Sequence, residues 1–258
     1  IEIYTFFHNV ESHFFKELFL INKSIKNFII WIVNYYVEKK SIIFSDKVIC
    51  LNKRENDELF RLYNRNADYE FPMIIKDSLL NTIYNNQNNL ADSEKYILFV
   101  GGNFYGNIHG IKWFVQNVVP KINIKLKIAG FGMENYRSIL EVNNKVKVVG
   151  SLKSLNELYK DALLVITPIF KGSGMKTKVA ESLMFGKIVL ASKEAATGYD
   201  LAPSDILIKC FDKDEFIKVI NSFDKDKIDT FNQKSREIYE KYYSLNAGIC
   251  RFKKIFFK

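Results

Sequence analysis

Two lysines and a glutamate, Lys176, Lys178 and Glu181, follow a glycine-rich turn, Gly172-Ser173-Gly174, in the stretch PIFKGSGMKTKVAESLMFGKIVLASKEAATGYD of residues 168–200. The order reads as an apolar strand (LLVIT), the turn, a helix and a second apolar strand (IVLAS). Glycine lets backbone approach a ligand closely, and the first turn of a helix offers unpaired N–H groups. With two lysine side chains added, this is an anion site. Glu181 lies three residues after Lys178, on the same helical face, where it can accept hydrogen bonds from hydroxyls. Phosphate and hydroxyls recognised side by side describe a nucleotide sugar. Taken alone, a glycine turn before a helix is equally a tight loop with no ligand.

Those residues fall within a regular alternation. Strand YILFVG (96–101) precedes helix HGIKWFVQNVVP, then come strand KLKIAG (125–130), a short helix over 134–140 and strand KVKVVG (145–150). Helix SLNELYKDA, strand LLVIT, helix KTKVAESLMFG, strand KIVLAS and strand ILIKC (206–210) complete the run. Apolar strands alternating with amphipathic helices predict an α/β fold with a doubly wound parallel sheet. Helices over 213–223 and 225–257 are expected to close the chain. Ligands of such sheets bind beyond the carboxyl ends of the strands. Gly101-Gly102, Gly130-Phe131-Gly132 and Gly150-Ser151 all fall there, and the Gly172 turn makes a fourth. Four such turns suggest a lined cleft between domains, although glycine at strand-to-helix turns also has a steric explanation.

Upstream, residues 1–75 read as one unit: a strand over 1–7, the tetrad His8-Asn9-Val10-Glu11, one long helix to about residue 40, strand KVICL (47–51), and a helix opened by Asn52. The polar run over 64–94, with Pro72 inside it, suits a connection, and 76–94 is taken as the linker. Residues 95–240 then form the C-terminal domain, and 241–258 a helix returning toward the N-terminal one.

At 258 residues, 48% hydrophobic and 26% charged, the chain has the composition of a soluble globular protein of about two domains. A net charge of +9 and pI near 9.2 point to phosphates or anionic surfaces, but no nucleic-acid recognition motif is present. Cys50, Cys210 and Cys250 lack metal-ligand spacing and suit a reducing, cytoplasmic setting. The apolar stretch over 14–37 is broken by Lys16, Glu17, Lys23 and Lys26, short of the about 18 apolar residues of a span. Its stripe with scattered lysines is read as packing on its own domain, or as touching the inner face of an anionic membrane. Among the histidines, His8 at a strand end is a base or sugar contact or else structural, and His13 and His109 are weaker candidates.

The segments FVGGNFYGNIHGIKWF, LKIAGFG, VKVVGSL and ELYKDALLVITPIFKGSGMKTKVAESLMFGKIVLAS, in this order and spacing, resemble glycosyltransferase family 4, the group 1 glycosyltransferases of GT-B fold. The likeness is strong over about 95–200 and looser over HNVE and SDKVICLNKRENDEL. It implies a C-terminal Rossmann-like domain that holds the nucleotide and part of an N-terminal Rossmann-like domain on the acceptor side, the start of which is expected to be missing. It also implies a retaining, metal-independent transfer of sugar from a nucleotide diphosphate donor, with no cofactor. The acceptor would be a saccharide or a lipid-linked one, in surface polysaccharide or glycolipid assembly. Carried over, Glu181 matches the ribose-binding glutamate, Lys178 and Lys176 match basic positions near the diphosphate, and His8 matches the histidine facing the transferred sugar. Gly101, Gly102, Gly130, Gly132, Gly172, Ser173, Gly174 and Met175 line the donor site in this reading. Ser173 stands where many relatives have a first glutamate, and GGNFYGNIHG lacks their Arg and Lys. A non-catalytic or epimerase-like GT-B protein is the alternative.

Overall fold

The computed structural model describes residues 1–79, 95–224 and 229–257. The chain divides into two units: Ile1–Met73 with Gly172–Met175 and Gly248–Lys258, and Ile74–Lys171 with Lys176–Ala247.

In unit 1, strands β1 (Tyr4–Phe7), β2 (Lys47–Cys50) and β3 (Tyr69–Glu70) form a parallel sheet in the order β1-β2-β3. Helices α1 (Glu11–Asn22), α2 (Ile25–Phe44) and α3 (Lys53–Tyr63) connect them. The expected single helix to residue 40 is therefore two. Lys23 takes left-handed backbone (φ 49°) and returns its N–H to the Phe19 carbonyl, and the extended Ser24 starts the next helix. Phe7, Val10, Ile42, Val48, Cys50 and Leu59 form the core of the unit. Asn52 caps α3 by accepting from the Glu55 N–H at 3.2 Å, as its position predicts. Strand β3 lies in the polar run read as connection; two residues with one side chain exposed leave no periodic pattern to see.

Unit 2 contains the six-stranded sheet: β4 (Tyr96–Val100), β5 (Lys125–Ala129), β6 (Val146–Gly150), β7 (Ala162–Thr167), β8 (Ile188–Ala191) and β9 (Leu207–Lys209), in the order β6-β5-β4-β7-β8-β9 and parallel throughout. The helices are α4 (Tyr105–Asn117), the short α5 (Arg137–Leu140), α6 (Asn156–Asp161), α7 (Thr177–Met184), α8 (Lys213–Ser222), α9 (Gln233–Tyr242) and α10 (Leu245–Phe256), the last extending into the residues of unit 1. Every side chain of β4 and β7 is buried, as continuous apolar runs require when helices cover both faces. Chain order reverses between β4 and β7, which makes their carboxyl ends the switch point where such sheets bind ligands.

The one closing helix expected over 225–257 is two, with residues 225–228 outside the described residues. The break falls at Tyr243 and Ser244: the Tyr243 carbonyl accepts from the Ile75 N–H at 2.9 Å, and Ser244 caps α10 by accepting from Ala247. Of the segment taken as linker, 80–94 lie outside the described residues; before them, Asp77 is bound by the buried Arg236 within unit 2.

Candidate functional site

Helix α7 forms because Val179, Ala180, Leu183 and Met184 give it a buried stripe, and it ends where Gly186 turns left-handed (φ 64°). Its opposite face carries Lys178 and Glu181. The Lys178 ammonium donates to Asn107 Oδ1 and lies 5.2 Å from the centre of the buried Phe99 ring. Asn107 in turn donates from Nδ2 to the Gly102 carbonyl at 2.9 Å. A Cβ placed on Gly101 would lie 3.1 Å from the Lys178 nitrogen, so the ammonium rests directly on the first glycine loop. The lysine thus stands at the carboxyl end of β4, beside the switch point.

That ammonium is costly to keep charged. Burial above all, helped by the neighbouring Lys176 and opposed by Glu181, pulls its pKa down to about 7. Glu181 is shifted the other way: burial raises it, while the hydrogen bond from Tyr159 and the charge of Lys178 hold it down. The Tyr159 hydroxyl donates to Glu181 Oε2 at 3.2 Å. A half-buried lysine and a half-buried carboxylate therefore share one helical face without being each other's hydrogen-bond partner; Asn107 and Tyr159 hold them apart.

The glycine loops are packed backbone against backbone. Gly130 has φ 142°, and a Cβ there would collide with the Gly101 carbonyl. Gly132 (φ 76°) faces Asn103, and the Asn103 N–H is taken by the Phe131 carbonyl at 2.7 Å. Phe131, between the two glycines, is 81% exposed. The loops after β4 and β5 thus form one rigid edge of exposed backbone next to Lys178.

Lys176 differs from expectation. Its ammonium is paired with Glu194 at 2.8 Å, so much of the charge assigned to phosphate is already met within the protein. The turn before it belongs to the other unit: Gly172, Ser173, Gly174 and Met175 group with unit 1. There Arg54 donates to the Gly174 carbonyl at 3.3 Å, and a Cβ on Gly174 would come within 3.5 Å of the His8 carbonyl. The His8 ring is exposed and lies 4.4 Å from that of Phe6.

The family model for group 1 glycosyl transferases matches residues 94–226, just over half of the chain and all six strands of the larger sheet. The chain belongs to this family. Three solved structures are similar to the chain in fold. TarM of S. aureus is 15% identical with a TM-score of 0.66, covering 87% of this chain and 46% of its own. Sucrose-phosphate synthase of Thermosynechococcus elongatus is 17% identical with a TM-score of 0.67, at 87% and 61%. HepE of Anabaena, solved with UDP and glucose, is 15% identical with a TM-score of 0.67, at 98% and 71%. The chain therefore spans less than two thirds of the first two. No curated protein matches it. The α/β, GT-B assignment made from sequence holds.

Of the residues singled out in the sequence, the fold brings Gly101, Gly102, Gly130, Gly132, Lys178 and Glu181 onto one end of the unit 2 sheet, with Lys176 beside them. His8 and Gly172–Met175 are brought together in unit 1. Sequence reading missed three partners: Tyr159, which donates to Glu181; Glu194, which pairs with Lys176; and Asn107 as the acceptor for Lys178. Each lies 18 to 71 residues along the chain from the side chain it meets. Among the described residues no helix is long and apolar enough to cross a membrane.

Proposed function

We propose that unit 2 is the donor half of a retaining glycosyltransferase that takes a uridine diphosphate sugar. The observation that carries this reading is the Lys178 ammonium fixed on the Gly101 loop by Asn107, with Glu181 one helical turn away on the same face. Lys178 meets the diphosphate and stabilises the negative charge that builds on it as the glycosidic bond breaks. Glu181 accepts the ribose hydroxyls. The Gly101, Gly102, Gly130 and Gly132 backbones let phosphate and base approach closely, and the α7 dipole adds positive potential. Uridine is favoured because HepE was solved with UDP.

Lys176 acts through Lys178: its ammonium, held by Glu194, keeps its neighbour's proton loosely bound until a phosphate arrives. The roles of His8 as a contact of the transferred sugar, and of Gly172, Ser173, Gly174 and Met175 as donor-lining backbone, rest on the family resemblance. The acceptor is a saccharide or lipid-linked saccharide of surface polysaccharide or glycolipid assembly, met on the cytoplasmic side of the membrane. With lysine and helix dipole facing the diphosphate, no divalent cation is required in this reading.

Proton NMR of UDP-glucose with a panel of sugar acceptors tests it. Transfer that keeps the α-anomer, unaffected by a chelator, is expected; a β-anomer overturns retention, and loss of turnover with chelator overturns metal independence. Ser173, at the place of a first glutamate, favours one second reading: UDP binding with no turnover toward any acceptor identifies a binding protein.

A further inference from the structure

Tyr159 is fully buried on α6, yet its hydroxyl meets a half-buried carboxylate of the site. Its ring lies 4.1 Å from that of Phe185 with 5° between the planes, which locks the phenol from the end of α7. The neighbouring Ser182 hydroxyl gives its own proton to the Lys178 carbonyl at 2.6 Å. The phenol proton goes to Glu181 Oε2, 3.2 Å away. One carboxylate oxygen is engaged from inside the protein, and Oε1 accepts no hydrogen bond among the described residues.

We infer that Tyr159 is a positioning residue that fixes the Glu181 carboxylate in the orientation needed to take two neighbouring hydroxyls, making the site selective for ribo- over deoxyribonucleotides. The inference rests on the donor-site reading above and adds the group that gives it specificity. A free glutamate rotates about three side-chain bonds and can satisfy one hydroxyl at a time. With Oε2 tethered, Oε1 and the second lone pair of Oε2 are held at a fixed spacing, suited to the two hydroxyls of a ribose. A buried tyrosine kept only for packing would be replaced by phenylalanine without consequence here.

The test compares UDP, GDP and ADP with their 2′,3′-dideoxy counterparts by calorimetry, in the wild-type chain and in Tyr159→Phe, which keeps the ring on Phe185. For the base that binds, the wild type is expected to prefer the ribonucleotide at least tenfold. Tyr159→Phe is expected to lose most of that preference through weaker ribonucleotide binding, with dideoxynucleotide affinity unchanged. The groups facing Glu181 are Tyr159 on α6 and Lys178 on its own helix. Removing the phenol proton destabilises the carboxylate, so the acid limb of the affinity profile should also move to higher pH in the variant. Unchanged preference and an unmoved limb in Tyr159→Phe overturn the inference while leaving the donor site standing. A wild-type chain that binds none of the three diphosphates overturns the donor reading and the inference with it.

Discussion

Lys178 is the residue on which the chemistry turns, because its proton is held weakly in the absence of an anion. With a pKa pulled to about 7 against an ordinary value of 10.5, it is charged below neutrality and largely neutral above it. A diphosphate restores the preference for the ammonium, so binding takes up a proton. Between pH 6.5 and 8.5 the affinity for UDP should fall about 25-fold. Calorimetry in buffers of different ionisation enthalpy reads the uptake directly. Lys178→Arg, charged throughout, should abolish both the uptake and the decline. Lys178→Ala should cost about 1.5–3 kcal/mol in UDP affinity and leave uridine untouched, since only the charged hydrogen bond to phosphate is lost. Equal losses for UDP and uridine would mean that the lysine only supports the fold.

The elements hold this lysine through contacts that tolerate little change. Gly130→Ala places a methyl against the Gly101 carbonyl at a backbone angle that side chains avoid, and the first glycine loop must move. A stability loss of about 2–4 kcal/mol by chemical denaturation is expected, together with loss of nucleotide binding. Below the α7 turn, the buried Lys187 donates to the carbonyls of Lys160, Ala162 and Thr230, joining α6, β7 and the segment before α9. Lys187→Met removes the donor shared by those three carbonyls and should cost about 3 kcal/mol, read from the shift of the denaturation midpoint. Most of these elements were legible in the sequence: β4, β7 and β8 are apolar runs whose burial follows from their composition, and β5 and β6 set lysines between buried apolar residues. The break at Lys23 was not, because a single left-handed lysine leaves the apolar periodicity running through it. Nor was the break at Tyr243–Ser244, where pairing with Ile75 replaces a helical continuation that the residues themselves permit.

Across the whole molecule, the site's residues were more legible than their partners. Glycine loops and the Lys-x-Lys-x-x-Glu spacing are local patterns. Asn107 lies 71 residues from Lys178, and Tyr159 lies 22 from Glu181, so only the folded sheet brings each pair together. A ligand that binds the folded chain must also stabilise it: UDP at a hundred times its dissociation constant should add about 2.7 kcal/mol, seen as a rise in Tm. The most direct test is calorimetric titration of UDP, GDP and ADP into the wild-type chain and into Glu181→Ala. Micromolar binding of UDP, at least tenfold weaker in the variant, is the predicted result. Binding of UDP that Glu181→Ala leaves unchanged, or no binding of any of the three, would contradict a donor site built on Lys178 and Glu181.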